Sequence, residues 1–213
     1  MNSPYVPTEA EQDLLDFVRR VLGGNLSEFL LSGLGEPHKT RRRFTARSTK
    51  THKWAPTYQF EVVSDTEGEL PGGRDPLVLA ALLHLMWTAK AGRSEVTFRD
   101  EELLEKLGWQ ETKESRRSIE AAIERYFSTS YCVTSRELPR AERIEGRYSH
   151  VRKLVTGYET KERLLDAPGV VLKSTVVQFA MGLYEEVAGG EKYFFGLDFE
   201  QLQLQQLPAD SSD

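Results

Sequence analysis

Clustered basic side chains are the feature of this sequence that points most directly to chemistry. Residues 38–53 hold seven Lys or Arg and no acidic residue. Because lysine and arginine neutralise phosphate groups, this run predicts contact with a nucleic-acid backbone. The alternative is a solvated loop without a ligand, since exposed basic runs are frequent. The candidates for backbone contact in this run are Arg41, Arg42, Arg43 and Arg47.

A second basic group lies at the start of an amphipathic segment. Apolar residues recur there at helical spacing, at Ile119, Ala122, Ile123, Tyr126 and Phe127. A helix with one buried face is therefore predicted, with Thr112 as its N-terminal cap. In a helix-turn-helix this end of the second helix meets the base edges, and arginine can bind guanine through two hydrogen bonds. The candidates for DNA contact at this end are Lys113, Ser115, Arg116 and Arg117. Glu120 and Glu124 either weaken the positive potential or pair with these cations.

A third basic group lies in a predicted hairpin with a long tip. Residues 131–135 are rich in strand formers, Pro139 lies in the connection, and residues 150–155 form the second strand. Between Arg136 and Lys153 there are six basic and three acidic residues. This modest positive excess is what contact of a wing with phosphates requires. The wing candidates are Arg136, Arg140, Arg143 and Arg147.

The elements that position these residues begin at Asp75-Pro76, a helix start. Residues 77–87 are apolar nearly all round, which predicts a buried core helix. Residues 94–98 alternate as a short strand, and residues 100–107 form an acidic helix that Gly108 ends in a left-handed cap. The helix after Thr112 and the hairpin complete the order of elements in a winged helix.

The remaining segments add elements at both ends. A helix from Glu9 to about Val21, capped by Thr8, and a short helix over 27–31 precede a linker or flexible arm at 33–43. A strand is expected at 57–63. Late elements are expected as a strand at 170–172, a helix at 174–187, a strand at 193–197 and a short helix or turn at 198–202.

The expected fold class is α+β, a winged helix-turn-helix with an extra N-terminal helix and a C-terminal extension of helix and strand. The predicted divisions are residues 1–41 for the N-terminal helix and basic linker, 42–205 for the winged-helix domain with its extension, and 206–213 for a disordered tail.

The order of elements resembles the replication initiator protein A group of plasmid Rep proteins. The matching features are Gly73-Arg74-Asp75 before the apolar helix, the Thr97-Phe98 strand, the Leu103-Leu104-Leu107-Gly108 helix and turn, the Arg116-Arg117-Ser118-Ile119 helix start, and the late stretches VVLKSTVVQF, LYEEV and YFFGLDFEQL. The resemblance covers about residues 42–205 and implies the first winged-helix domain of that family. It also implies tandem winged helices that bind repeated origin DNA, and this chain ends before a second one fits.

Catalytic and metal-binding patterns are missing from the sequence, so an enzyme is not expected. Cys132 lies in an apolar strand and is expected to be a packed thiol. His84 belongs to the core helix, and the other histidines lack the i, i+4 spacing of a metal pair. No glycine pair is followed by the Lys-Ser/Thr of a nucleotide-binding loop. We therefore expect no metal, no cofactor and no small-molecule substrate.

Composition sets the remaining expectations. The 213 residues, 39% of them hydrophobic, suffice for one core with appendages. The net charge is −5, but outside residues 38–53 it is −12, so basic charge is strongly segregated. The single cysteine and the lack of a secretion signal predict a cytoplasmic protein. The longest apolar run has 11 residues, and a bilayer span needs about 20, so no membrane role is expected.

Two functions are open at this stage. The first is a sequence-specific double-stranded DNA-binding protein of the plasmid replication-initiator type, with the third helix in the major groove, and a transcriptional regulator is a variant of it. The second is an assembly module that pairs with itself as a homodimer, or with another protein, through the wing strand or the N-terminal helix. Trp54, Tyr58 and Phe60 either stack on unpaired bases or, for the last two, pack inward from one strand face.

Overall fold

The computed structural model describes residues 5–48, 57–66, 68–89, 94–136, 147–164, 171–188 and 199–207. Within these ranges the helices are α1 (Glu9–Leu22), α2 (Gly24–Leu30), α3 (Asp75–Ala89), α4 (Asp100–Leu107), α5 (Lys113–Phe127) and α6 (Met181–Val187). The strands are β1 (Arg41–Ser48), β2 (Thr57–Ser64), β3 (Glu95–Phe98), β4 (Thr129–Arg136), β5 (Arg147–Arg152), β6 (Val155–Leu164), β7 (Val171–Phe179) and β8 (Leu202–Gln206). The predicted mixed α+β class is confirmed.

The described strands form two antiparallel sheets. One has the strand order β5-β4-β2-β1-β8, and the other has the order β3-β7-β6. The chain passes from the five-stranded to the three-stranded sheet through Lys153 and Leu154. Buried residues of both sheets and of α1 to α6 belong to one hydrophobic core. The two N-terminal helices therefore pack with the segments that follow them.

Strand alternation gives the five-stranded sheet one buried face. Phe44 on β1, Phe60 on β2 and Val133 on β4 are register partners, and each is at most 3% exposed. Phe29 on α2 lies against this layer, with its ring centroid 5.2 Å from Phe44, 5.3 Å from Phe60 and 5.6 Å from Tyr131. Edge-to-face aromatic contacts of this kind add to the burial of apolar area. They hold α2 on the sheet.

The core helix α3 is buried on most sides, as its apolar run predicts. At its start, Asp75 accepts hydrogen bonds from Arg125 of α5 at 2.7 and 2.9 Å. The amide of Gly72 donates a third bond to the same carboxylate at 3.0 Å. A two-pronged arginine–carboxylate pair restricts both partners more than a single contact does. It fixes α5 against the start of α3.

A second buried carboxylate, Glu11, connects α1 to distant segments. It is 1% exposed and accepts hydrogen bonds from the Tyr5 hydroxyl at 2.6 Å, the Thr8 amide at 2.8 Å and the Trp109 indole at 2.8 Å. The Arg74 guanidinium pairs with it as well. Burial alone raises the pKa of Glu11, but these donors outweigh burial and lower the pKa from 4.5 to about 2. The predicted cap at Thr8 is confirmed as part of a capping box with Glu11.

The basic run that we expected to be a linker or flexible arm contains strand β1. β1 pairs with β2 on one side and with β8 on the other. Phe44 and Ala46 supply the alternating apolar positions that a half-buried strand needs, and the intervening charges conceal this pattern in the sequence. β8 at the sheet edge differs from the expected helix or turn, which is limited to a 3-10 turn at Phe199–Gln201.

The late hairpins also differ from expectation. Strands form at the predicted hairpin, as β4 and β5, but β4 lies next to β2 in the five-stranded sheet. The short strand β3 pairs with β7, and β7 pairs with β6. The hairpin beside β3 is therefore β6–β7, which corrects the assignment of residues 136–153 to the wing. The helix expected at 174–187 is strand up to Phe179, because Thr175, Val177 and Phe179 alternate into the core. Residues 193–197 and 208–213 lie outside the described ranges.

We predict that Phe29→Ala lowers the free energy of unfolding by about 3–5 kcal/mol, because the lost ring leaves a cavity between α2 and the sheet. Urea unfolding followed by circular dichroism measures this change. Glu28→Ala, at the exposed neighbouring position, is the matched control and should change stability by less than about 0.5 kcal/mol. Equal losses in the two variants would contradict the central position of the ring.

Glu11 should make folding stability sensitive to acid. Because its pKa falls from 4.5 to about 2 on folding, its contribution is complete above pH 4.5 and is lost as the pH falls toward 2. A shift of this size corresponds to about 3 kcal/mol. We expect the stability difference between the natural chain and Glu11→Gln to shrink over this pH range in urea unfolding. Glu9→Gln, in the same first turn but exposed, should show a smaller dependence.

Candidate nucleic-acid interface

Local capping fixes the turn between α4 and α5. Gly108 has a left-handed backbone at φ 63°, and its amide donates to the Glu105 carbonyl at 3.0 Å. The Trp109 amide donates to the Leu104 carbonyl at 3.0 Å. The Thr112 hydroxyl accepts from the Ser115 amide at 3.1 Å and caps α5. Both predicted caps are confirmed, and together they orient the N-terminal end of α5.

The DNA-contact candidates on α5 are not equally accessible. Lys113 and Arg117 are exposed, whereas Ser115 is partly buried. The Ser115 hydroxyl lies 2.9 Å from that of Thr112, so it takes part in the cap. Arg116 is surrounded by carboxylates, which pair with it at 2.6 Å for Glu101, 2.5 Å for Glu111 and 3.4 Å for Asp100.

Arg116 links α5 to α4 and to the intervening turn. The hydrogen bonds that Arg116 donates to Glu111 and Glu101 raise the pKa of Arg116, which keeps the guanidinium charged. Burial raises the pKa of Asp100 even though the nearby cations Lys173 and Arg116 lower it. Three carboxylates already occupy the donors of Arg116, so a phosphate or base must compete with them. Among the residues that the structure describes, no carboxylate pairs with Arg117.

Acidic residues dominate the exposed surface of α4 and α5. The exposed acids of the two helices are Glu101, Glu102, Glu105, Glu114, Glu120 and Glu124, and the exposed cations are Lys113 and Arg117. Glu120 pairs with Lys173 of β7, and its hydrogen bond raises the pKa of that lysine. Of the two alternatives left open for Glu120, the structure thus shows a pair with a cation of β7 and not with one of its own helix. The exposed positive charge on α5 is confined to its first turns, since Arg125 in the last turn is paired with Asp75.

The three-stranded sheet packs beside α5. The Phe127 ring at the end of α5 meets the Tyr158 ring of β6 edge to face, with centroids 5.4 Å apart. β6 and β7 form a hairpin whose connecting residues 165–170 lie outside the described ranges. Lys161 on β6 and Lys173 on β7 are cations that the sequence analysis missed. The alternation of Thr175, Val177 and Phe179 was the sequence pattern that could have identified this strand.

Strand β1 divides its arginines between two faces. Arg41, Arg43 and Arg47 lie on the face turned away from the core, which we call the outer face, and the first two side chains are 47% and 39% exposed. Arg42 points the other way and is 3% exposed. Its guanidinium lies against Gly33, where φ is 103° and no side chain fits. Arg42 cannot reach DNA, so its prediction as a backbone contact is wrong.

The predicted wing residues are distributed between two strands and their connection. Arg136 ends β4, Arg147 begins β5, and the two are register partners. Arg140 and Arg143 lie outside the described residues. The register runs from Arg47 through Thr57 to Arg136, so the two groups predicted as arm and wing share one sheet. The α5 group is on a different element.

Evidence for other chemistry is weak in the described part of the chain. No group of three or more His, Cys, Asp or Glu side chains is placed there to hold a metal ion. Burial raises the pKa of the Cys132 thiol, which keeps it protonated near neutral pH. Among the same residues, no helix combines the length and apolarity needed to cross a membrane.

Comparison with known proteins identifies similar folds only. No protein-family profile and no curated protein matches the sequence. The structure is similar to a crystal structure of RctB domains 2–3, with a TM-score of 0.55 and 15% identity over 79% of this chain and 60% of that one. A selenomethionine structure of RctB domains 2 and 3 gives a TM-score of 0.53 and 15% identity over 86% and 64%. This chain thus spans less than two thirds of either structure, and the likeness concerns the fold.

Arg116 and Arg117 should differ in their effect on stability. Arg116→Ala removes the cation from buried Asp100 and from two further acids, and we expect a loss of about 1 kcal/mol in the free energy of unfolding. Arg117→Ala, the neighbouring matched control, should change it by less than about 0.5 kcal/mol. Urea unfolding at neutral pH measures both values. A larger loss for Arg117→Ala would overturn the assignment of Arg116 to the helix junction.

Proposed function

We propose that this chain binds double-stranded DNA through α5 and acts in the initiation of DNA replication. The observation that carries the proposal is the connectivity from α3 through β3, α4 and α5 and then, after the inserted strands β4 and β5 of the other sheet, to the hairpin β6–β7, in which β7 pairs with β3. We interpret this order and pairing as a winged helix with β6–β7 as its wing. In a helix-turn-helix the second helix enters the major groove.

Similarity to RctB supports the replication part of the proposal. RctB is a replication initiator protein, and two of its domains share this fold. The resemblance of the sequence to plasmid Rep proteins points the same way, so a plasmid-type initiator is the form we favour. Because one fold can serve many functions, the DNA-binding claim depends on the side chains of α5.

Charge along α5 supports entry with its N-terminal end toward DNA. Lys113 and Arg117 occupy the first turns, whereas the exposed acids Glu120 and Glu124 lie farther along. The positive end of the helix dipole is on the same side as the two cations. Lys161 and Lys173 on the hairpin β6–β7 reach the phosphates beside the groove only by exchanging their present partners, Glu159 and Glu120. The remaining acids disfavour binding along the full length of the helix.

An assembly module is the second candidate function. One observation favours it: Val151 lies on the edge strand β5 and is 59% exposed. Unpaired strand edges can add a strand from another chain, and an exposed apolar side chain supports such pairing. A homodimer formed this way would be insensitive to salt, unlike binding to DNA phosphates.

Selection from a random duplex pool followed by fluorescence anisotropy tests the DNA-binding proposal. We expect enrichment of a defined site that binds at least about tenfold more tightly than its scrambled version. Arg117→Ala should reduce this discrimination by about 1–3 kcal/mol, because arginine reads base edges. Affinity for both duplexes should fall steeply as salt rises.

The matched control is Arg19→Ala, which removes an exposed arginine from α1. It should leave the discrimination unchanged. Absence of an enriched site, together with a salt-independent dimer in sedimentation experiments, would replace the DNA-binding proposal by the assembly module.

A further inference from the structure

The outer face of the five-stranded sheet is rich in arginine and other polar residues. Its outward positions on β1 are Arg41, Arg43, Thr45 and Arg47, which alternate with buried Arg42, Phe44 and Ala46. Gln59 on β2 and both Gln203 and Gln205 on β8 are exposed on this face. The sheet thus keeps one side in the core and turns a polar side to solvent.

Strand register arranges these positions in rows across the sheet. One row crosses all five strands and consists of Gln203, Arg47, Thr57, Arg136 and Arg147. The next row consists of Gln205, Thr45, Gln59, Thr134 and Ser149. Neighbouring strands are about 4.8 Å apart, so the arginine positions of the first row extend over about 14 Å. This distance equals roughly four nucleotide steps of a DNA strand at 3.4 Å each.

The outer face carries an excess of positive charge. Its positions on the five strands include five arginines and one acid, Glu61, a net charge of +4. Glu61 bridges Arg41 at 2.5 Å and Arg43 at 3.1 Å, so it holds two of the arginines in place. The first row contains no acid. Three of the seven basic residues in the run 38–53, namely Arg41, Arg43 and Arg47, therefore lie on one sheet face.

The side-chain types on this face select the kind of partner. Cations bind phosphate oxygens, and the amides and hydroxyls of the second row can donate hydrogen bonds to phosphates and sugars. Neither row contains a large apolar residue, which the core of a stable protein–protein interface requires. The exposed Val151 is on the same face in the row of Arg43 and Glu61, but it lies on the edge strand β5. No aromatic residue is in these rows to stack on bases. The composition fits the backbone of duplex DNA, without reading its sequence.

The outer face and the exposed side of α5 are different surfaces around one core. Tyr126, on the buried side of α5, is fully buried and belongs to the same hydrophobic core as Tyr131 on the inner face of the sheet. The helix and the sheet therefore bury side chains together and expose separate surfaces. A straight duplex in contact with α5 leaves the outer face free for another segment.

We propose that the outer face of the five-stranded sheet is a second, sequence-independent DNA-binding surface that contacts the phosphates of a duplex segment other than the one bound by α5. The inference extends the DNA-binding function proposed above, but it has its own residues. The row with Arg47, Arg136 and Arg147 supplies the principal phosphate contacts. Arg41 and Arg43, which Glu61 bridges, supply further phosphate contacts beside this row.

Salt-dependent anisotropy on the full chain tests this inference. The sheet variant Arg47→Gln/Arg147→Gln is compared with the α5 variant Lys113→Gln/Arg117→Gln and with the matched control Arg19→Gln/Arg20→Gln, after urea unfolding shows equal stability. The probe is a random duplex longer than two helical turns. Each phosphate contact contributes about 0.9 to the slope of log affinity against log salt, so the sheet variant should lower the slope by up to about 1.8.

The outcomes separate the two proposals. A lower slope in the sheet variant, with the control unchanged and discrimination of the selected site retained, supports the inference. If the sheet variant matches the control while the α5 variant loses discrimination, the second surface is overturned and the proposed function stands. If the sheet variant lowers the slope but the α5 variant has no effect, the sheet surface stands alone. A dimer that the sheet variant dissociates, with no change in DNA slope, makes this face an interface between copies and overturns the inference.

Discussion

The arrangement of the helices depends on the buried carboxylate of Glu11. A charge that is 1% exposed is stable only where hydrogen-bond donors replace water, and here they come from before α1, before α3 and after α4. Arg74 also lies over the Trp109 ring at 4.1 Å, so the donors hold one another in place. The three helices must therefore take their positions together. The orientation of α5 follows, because the turn that contains Trp109 leads directly into it.

Alternation along β1 explains how an acidic chain can present a basic surface. The residues of β1 with even numbers complete the aromatic layer beneath α2, and those with odd numbers carry charge to the other side. Arg42 is the exception, a guanidinium enclosed on the core side next to Gly33. One strand thus contributes both to folding and to the charge pattern, and neither role is visible from the net charge alone.

The helices were predictable because their signals are local. The caps at Thr8, Gly108 and Thr112 act within a few residues, and the apolar spacing of α3 and α5 reports burial directly. Strand pairing was not predictable in the same way. The partner of β3 is β7, about 80 residues later in the chain, and no local sequence pattern predicts this pairing. At the candidate site, the exposed Lys113 and Arg117 follow from helix periodicity, whereas the commitment of Arg116 to three carboxylates requires the packing of α4 on α5.

The short junction between the two sheets is secured from several sides. Lys153 pairs with Asp65 at 2.5 Å and donates to the Phe127 carbonyl at 3.2 Å, while the buried Leu154 accepts a hydrogen bond from the Ala180 amide at 2.9 Å. Only two residues separate β5 from β6, so the sheets have no hinge at this point. If DNA binds both α5 and the outer face as we propose, this short junction would set the angle at which the two duplexes cross.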